Sequence, residues 1–161
     1  MVIVLMGPAG SGKTTVGQAL AGELRWRFVD GDDRHPPANV EKMRAGQPLS
    51  DTDREPWLLG LRSVVARALD RREHLIVACS ALKQRHRNVL AGGLRQVRFV
   101  FLRAPAQVLL ERTASRSGHF AGPGLVDSQL LALEQPEDAF EVDATLPPAE
   151  ITLRIRREFG L

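Results

Sequence analysis

The stretch Gly7-Pro8-Ala9-Gly10-Ser11-Gly12-Lys13-Thr14 puts glycines, a lysine and a hydroxyl at the spacing of a phosphate-cradling loop. Glycines let the backbone wrap with its N–H groups pointing inward, and a helix starting near Lys13 adds its positive dipole end at the same spot. A nucleotide triphosphate suits such a cradle. In that chemistry Gly7, Gly10, Ser11, Gly12 and Thr15 line the phosphates, Lys13 reaches the β and γ phosphates, and the Thr14 hydroxyl ligates Mg²⁺. A second chemical group follows in the acidic turn Asp30-Gly31-Asp32-Asp33. Of Asp30 and Asp32, one could sit in the outer shell of the metal and the other could accept the proton of an attacking hydroxyl.

These residues need elements to hold them. Residues 2–6 form a continuous apolar run, as a buried parallel strand does, and Val16, Leu20 and Leu24 recur at helical spacing after the loop. Phe28-Val29 is a short strand entering the acidic turn, and Pro36-Pro37 lead into a helix over 38–45 with Val40 and Met43 turned to the core. Thr52 or Asp53 is expected to cap a long helix carrying Trp57, Leu58, Leu61, Val64, Val65, Ala68 and Leu69 inward. Residues 75–79 form another apolar strand, with Ser80 as cap of a helix reaching about residue 90, on which Lys83 and Arg87 lie four apart. A strand over 97–102 and a helix opened by Pro105, with Val108, Leu109 and Leu110 inward, come next. A helix over 126–134, a strand over 140–142 and a helix over 148–159 complete the pattern. This alternation predicts an α/β fold: a doubly wound parallel sheet of about five strands, helices on both faces, and a binding crevice at the carboxyl ends of the strands.

The chain has 161 residues, 43% hydrophobic and 25% charged, which is the size and make-up of one globular domain spanning 1–161. No run approaches the roughly 20 apolar residues of a membrane span. No secretory leader pattern precedes the first strand, and the only cysteine, Cys79, sits in an apolar run as an inert core residue, so a cytoplasmic location is expected. The net charge is +3, but the arginines are dispersed and tyrosine is absent, which argues against a nucleic-acid surface. The strand before Ser80 ends without the metal-holding carboxylate usual in hydrolysing NTPases, and no guanine-reading Asn-Lys-x-Asp occurs, which argues against a GTPase.

Several motifs in order carry a resemblance. Asp30-Gly31-Asp32 is followed by His35-Pro36, Asn39, Glu41-Lys42-Met43, Gly46, Pro48-Leu49, Asp51, Asp53-Arg54 and Trp57-Leu58. Cys79-Ser80-Ala81-Leu82-Lys83 with Arg87, then Arg116 with Gly118-His119-Phe120, come after. From residue 2 to about 136 the chain resembles the gluconate kinase family of P-loop small-molecule kinases. That resemblance implies ATP-dependent phosphorylation of D-gluconate at its terminal hydroxyl, with Mg²⁺, by a P-loop kinase fold with a small lid over 112–126. It gives Asp32 the hydroxyl and Asp30 the metal, held through water. His35, Lys42, Arg54, Lys83 and Arg87 are the candidates for holding a polyol with an anionic end, and His119 is a lid or substrate residue. Arg112 and Arg116 would act as lid arginines on the triphosphate, so that Lys13, Asp32 and Arg116 form the catalytic set. A homodimer is implied as well. The run Ala121-Gly122-Pro123-Gly124 departs from the aromatic and basic residues of related lids. Two alternatives stand beside this reading: the same fold acting on another acceptor such as shikimate or a nucleotide, and a non-catalytic nucleotide- or nucleic-acid-binding module.

Overall fold

The computed structural model describes residues 1–115 and 124–161. Strand β1 (Val2–Met6) is buried at every residue because it runs through the middle of the sheet. Around it the order is β2 (Arg27–Asp30), β3 (Leu75–Ala78), β1, β4 (Val97–Arg103) and β5 (Phe140–Asp143), with every pairing parallel. Val4 lies opposite Val77 on one side and Phe99 on the other.

Alternation along β1 divides the core in two. Val2, Val4 and Met6 pack with Trp57, Leu61 and Val65 of α3 (Asp51–Asp70), and Leu90 of α4 (Gln84–Ala91) joins that layer. Ile3 and Leu5 pack with Val16 and Leu20 of α1 (Lys13–Leu24) and with Ile151 and Ile155 of α7 (Pro148–Phe159). Helices therefore cover both faces, and the connections from β1 to β2 and from β1's neighbour β4 to β5 leave in opposite directions. That divergence opens a crevice above the carboxyl end of β1. Shorter helices α2 (Pro37–Arg44), α5 (Ala106–Ala114) and α6 (Leu125–Ala132) flank the crevice. No helix among the described residues is long and apolar enough to cross a membrane.

Four local expectations are corrected. The cap of α3 is Ser50, whose hydroxyl accepts from Asp53 N at 3.1 Å while the Asp53 carboxylate accepts from Ser50 N at 2.9 Å. This reciprocal pair satisfies two backbone donors, which neither Thr52 nor Asp53 could do as a lone cap. Ser80 caps no helix: α4 begins at Gln84, after a loop in which Ala81 takes φ 43° and both Ala81 and Leu82 are buried. On α2 the buried residue is Asn39, with Val40 and Met43 only half-buried, because a polar network and not the apolar core lies beneath it. On α5 only Leu109 is buried, and Leu110 is exposed.

Candidate active site

The phosphate loop is set by its backbone. Gly10 has φ 81°, and a Cβ there would lie 2.6 Å from Leu109 O, so only glycine lets the loop rest on α5. Gly7 and Gly12 also have positive φ, and Gly12 is the cap from which α1 starts. Lys13 Nζ donates to Gly7 O at 3.0 Å and Pro8 O at 2.9 Å, arching over the cradle its own helix begins. The Ser11 hydroxyl oxygen is buried and has no hydrogen-bond partner among the described residues, which a phosphate oxygen would remedy.

Thr14 Oγ1 donates to Asp30 Oδ2 at 2.6 Å, tying the start of α1 to the end of β2. The hydroxyl keeps its lone pairs for a cation while the carboxylate holds its hydrogen, a set of hard oxygen donors that fits Mg²⁺. No group of three or more His, Cys, Asp or Glu residues suited to a metal occurs among the described residues. An ion that takes most of its ligands from phosphates and water needs no such cage. A cavity of about 550 Å³ beside this pair is lined by Thr14, Thr15, Gln18, Asp30, Asp33 and Arg34.

The acidic corner is fixed by Gly31. Its N–H donates to Ala78 O at 2.7 Å, and a Cβ would stand 2.6 Å from that carbonyl, so any other residue would push the turn off the sheet. Gly31 O in turn accepts from Trp57 Nε1 at 2.7 Å. Asp32 N donates to Asp30 Oδ1 at 3.0 Å, which leaves the Asp32 carboxylate exposed at the mouth of the crevice. His35 stacks on Trp57 with ring centroids 4.2 Å apart. Burial, with Arg54 nearby, lowers the His35 pKa against the pull of Asp32, which favours the neutral ring. Asn39 Nδ2 donates to Asp53 O at 2.8 Å and lies 3.3 Å from His35 Nδ1, so that ring nitrogen accepts and Nε2 carries the proton.

Charged partners surround this corner. Asp53 accepts from Lys42 Nζ at 2.7 Å, and that bond, helped by Ser50, pulls its carboxyl down to about 2. Asp51 gathers Lys83 at 3.2 Å, Arg85 and, at 3.8 Å, His86 Nε2. Arg54 is different. Its guanidinium forms no hydrogen bond or ion pair among the described residues, and burial lowers its pKa against the pull of Cys79, Asp32 and Asp53. The Cys79 thiol is pushed up to about 12 by burial, so it is the inert core residue expected.

The structure thus brings Lys13, Thr14, Asp30, Asp32, His35 and Arg54 to one crevice, with Lys42 and Lys83 at its edge in ion pairs. Arg87 departs from expectation. Its guanidinium is buried and donates to Ala81 O and Leu82 O at 3.1 Å and to Gln84 Oε1 at 2.7 Å, so it braces the loop after β3. Arg112 donates to Ala144 O at 2.8 Å, and a triphosphate role for it requires that bond to break. Arg116, His119 and most of the 112–126 segment lie outside the described residues. Three contributions went unread in the sequence. Asp53, expected only as a possible helix cap, also pairs with Lys42, and Asp51, noted only within the family-like motifs, gathers Lys83 and Arg85, while Gln129 on α6, which accepts from Ala9 N at 2.6 Å, carries no local signal.

Comparison with known proteins agrees with this geometry. A family model described as an AAA domain matches residues 2–136. A probable gluconokinase of Schizosaccharomyces pombe is 42% identical over 141 residues, covering 84% of this chain and 73% of that protein. A crystal structure of a sugar kinase from Janibacter sp. superposes with TM-score 0.90 at 37% identity, covering 99% of this chain and 94% of the other. A gluconokinase structure from Sinorhizobium meliloti gives TM-score 0.82 at 39% identity, covering 99% and 95%.

Proposed function

The chain belongs to the gluconokinase family of P-loop kinases, and from that membership we propose that it transfers the γ-phosphoryl group of ATP to the terminal hydroxyl of D-gluconate, yielding 6-phospho-D-gluconate and ADP. The observation that carries the reading is the 2.6 Å bond between Thr14 and Asp30, because it fastens the phosphate cradle to the acidic corner that ends in Asp32.

Asp32 orients the acceptor hydroxyl and takes its proton as the new O–P bond forms and the bond from the γ phosphorus to the ADP oxygen breaks. Lys13 neutralises charge on the β and γ phosphates, and the loop N–H groups hold them still. Bound Mg²⁺ would supply charge neutralisation across the phosphate oxygens, held by the Thr14 hydroxyl and, through water, by Asp30. Arg54 meets the gluconate carboxylate, since it is a half-buried cation with no bonded partner among the described residues. Lys83 supports it from the ion pair with Asp51, and His35 offers its Nε2–H to a hydroxyl. The reading carries a cytoplasmic location with it, where both substrates are found.

The test is an acceptor panel with purified protein, ATP and Mg²⁺. Gluconate should exceed shikimate and nucleoside monophosphates in kcat/KM by about a hundredfold or more, as expected of a site built to pair several hydroxyls and one carboxylate. Equal or better turnover of shikimate or a nucleotide would overturn the choice of acceptor.

A further inference from the structure

Helix α6 reaches both sides of the crevice. From the middle of the helix Gln129 accepts from Ala9 N of the phosphate loop at 2.6 Å, across 120 residues of sequence. Just beyond the helix, the Glu134 carboxylate accepts from Gln84 N, the first residue of α4, at 2.6 Å, and Glu134 N donates to Leu82 O at 2.9 Å. Val126, buried to 2% exposure, anchors the other end of α6, while Leu131 points outward at 89% exposure.

The neighbouring loop donors are tied within the backbone, whereas Ala9 N–H is held by a side chain from α6. Pro8 has no N–H, Ser11 N is used on Pro8 O at 3.2 Å, and Gly7 N on Ser80 O at 3.2 Å. The direction of Ala9 N–H therefore sets the arch of residues 8–10, and Gln129 fixes that direction. The chemistry at the two contacts also differs in a useful way. A neutral amide holds the loop that must receive a triphosphate, so no negative charge is placed beside it. A carboxylate sits instead at the N-terminus of α4, where the helix dipole favours it, next to Lys83.

We propose that α6 is a brace between the two substrate loops, with Gln129 as positioning residue for the nucleotide and Glu134 as positioning residue for the acceptor. The inference rests on the kinase reading above, and its nucleotide arm is independent of which acceptor is correct.

The experiment measures MgATP affinity by equilibrium binding without acceptor, then KM for gluconate by turnover. Gln129→Leu removes the acceptor oxygen and should weaken MgATP about tenfold, the size of one lost loop hydrogen bond, with the KM for gluconate within about twofold of wild type. Gln129→Glu keeps the shape and the bond but adds charge, so it should weaken MgATP at low salt and recover as salt rises. Glu134→Gln should do the reverse of Gln129→Leu, raising the KM for gluconate several-fold at unchanged MgATP affinity. Leu131→Ser, on the outer side of the same helix, should change neither. MgATP affinity within about twofold of wild type in Gln129→Leu would overturn the proposal, as would the same loss of both affinities in Gln129→Leu and Glu134→Gln. Failure of gluconate as acceptor with a retained effect of Gln129→Leu on MgATP would overturn the acceptor reading and leave the nucleotide end of the brace standing.

Discussion

The phosphate side and the acceptor side of the crevice are built from different materials. On the phosphate side the work falls to backbone: φ values that glycine alone accepts easily, N–H groups turned inward, and the start of α1. On the acceptor side it falls to side chains balanced against one another, with Asp53 holding Lys42, Asp51 holding Lys83 and Arg85, and the Arg54 guanidinium left without such a partner among the described residues. A backbone cradle has one shape whatever the acceptor. A network of charges keeps its shape only while each partner is present, so it can be retuned residue by residue. The difference separates what is common to phosphoryl transfer from what selects the acceptor.

The largest effect that tests this division is expected where the two sides meet. Asp32 is exposed and its carboxylate makes no hydrogen bond among the described residues, so it contributes little to the fold. Asp32→Asn should lower kcat by about 10² to 10⁴ with MgATP affinity and Tm unchanged. Steady-state kinetics with a thermal melt decides it. Wild-type turnover in the variant would remove Asp32 from the reaction and move the boundary between the two sides elsewhere.

The same contrast explains what could be read from the sequence. The phosphate loop was legible because a backbone conformation is specified by neighbours: four fixed residue types within eight positions spell it. The central strands were legible because the continuous apolar runs 2–6 and 75–79, and the run 97–102 interrupted only at Arg98, belong to strands largely covered on both faces. On the acceptor side the residues were named, yet their partners were not. Arg87 and Lys83 sit four apart on one stretch, and spacing gives no hint that one turns inward to backbone carbonyls while the other reaches Asp51. Asn39 is buried in place of the expected Val40 and Met43 because burial on α2 is decided by Asp53 and His35 opposite it, which lie outside that helix. Gln129 was invisible for the same reason, its partner being 120 residues away.

Arg54 and Arg87 sharpen the comparison within the acceptor side, since both are arginines in the family-like motifs with opposite environments. Arg54→Met should raise the KM for gluconate about 10- to 100-fold with little change in Tm, because it deletes a charge-assisted bond to the substrate and none within the protein. Arg87→Met should act mainly on the fold, lowering stability by about 2 to 4 kcal/mol as Ala81 O and Leu82 O lose their donors, with a smaller effect on KM. Chemical denaturation beside kinetics separates the two. A raised KM with an intact fold in Arg87→Met would show its guanidinium to be a ligand of the acceptor, and the brace assigned to it would fall.

The smallest effect comes from the edge of the charge network. His86 is buried, its Nε2 has no hydrogen-bond partner among the described residues, and burial followed by the nearby cations Arg54, Arg85 and Lys83 holds its pKa down to about 4. The Asp51 carboxylate 3.8 Å away does not reverse this, since Lys83 and Arg85 already engage it. The folded pKa lies below the ordinary value of 6.5, so between these pH values the unfolded chain binds a proton that the folded chain refuses. Stability is therefore complete near pH 7 and falls as pH drops through the window, by about 2 kcal/mol between pH 7 and 5. His35, lowered in the same direction, adds to the slope. Asp53, with its carboxyl near 2, loses its contribution only below about pH 4, outside the interval measured. Urea unfolding at pH 7, 6 and 5 should show this decline in the wild type and a shallower one in His86→Gln, where the contribution of His35 remains. An equal slope in the variant would mean that His86 is protonated in the folded protein, and Asp51 would then have to be its partner.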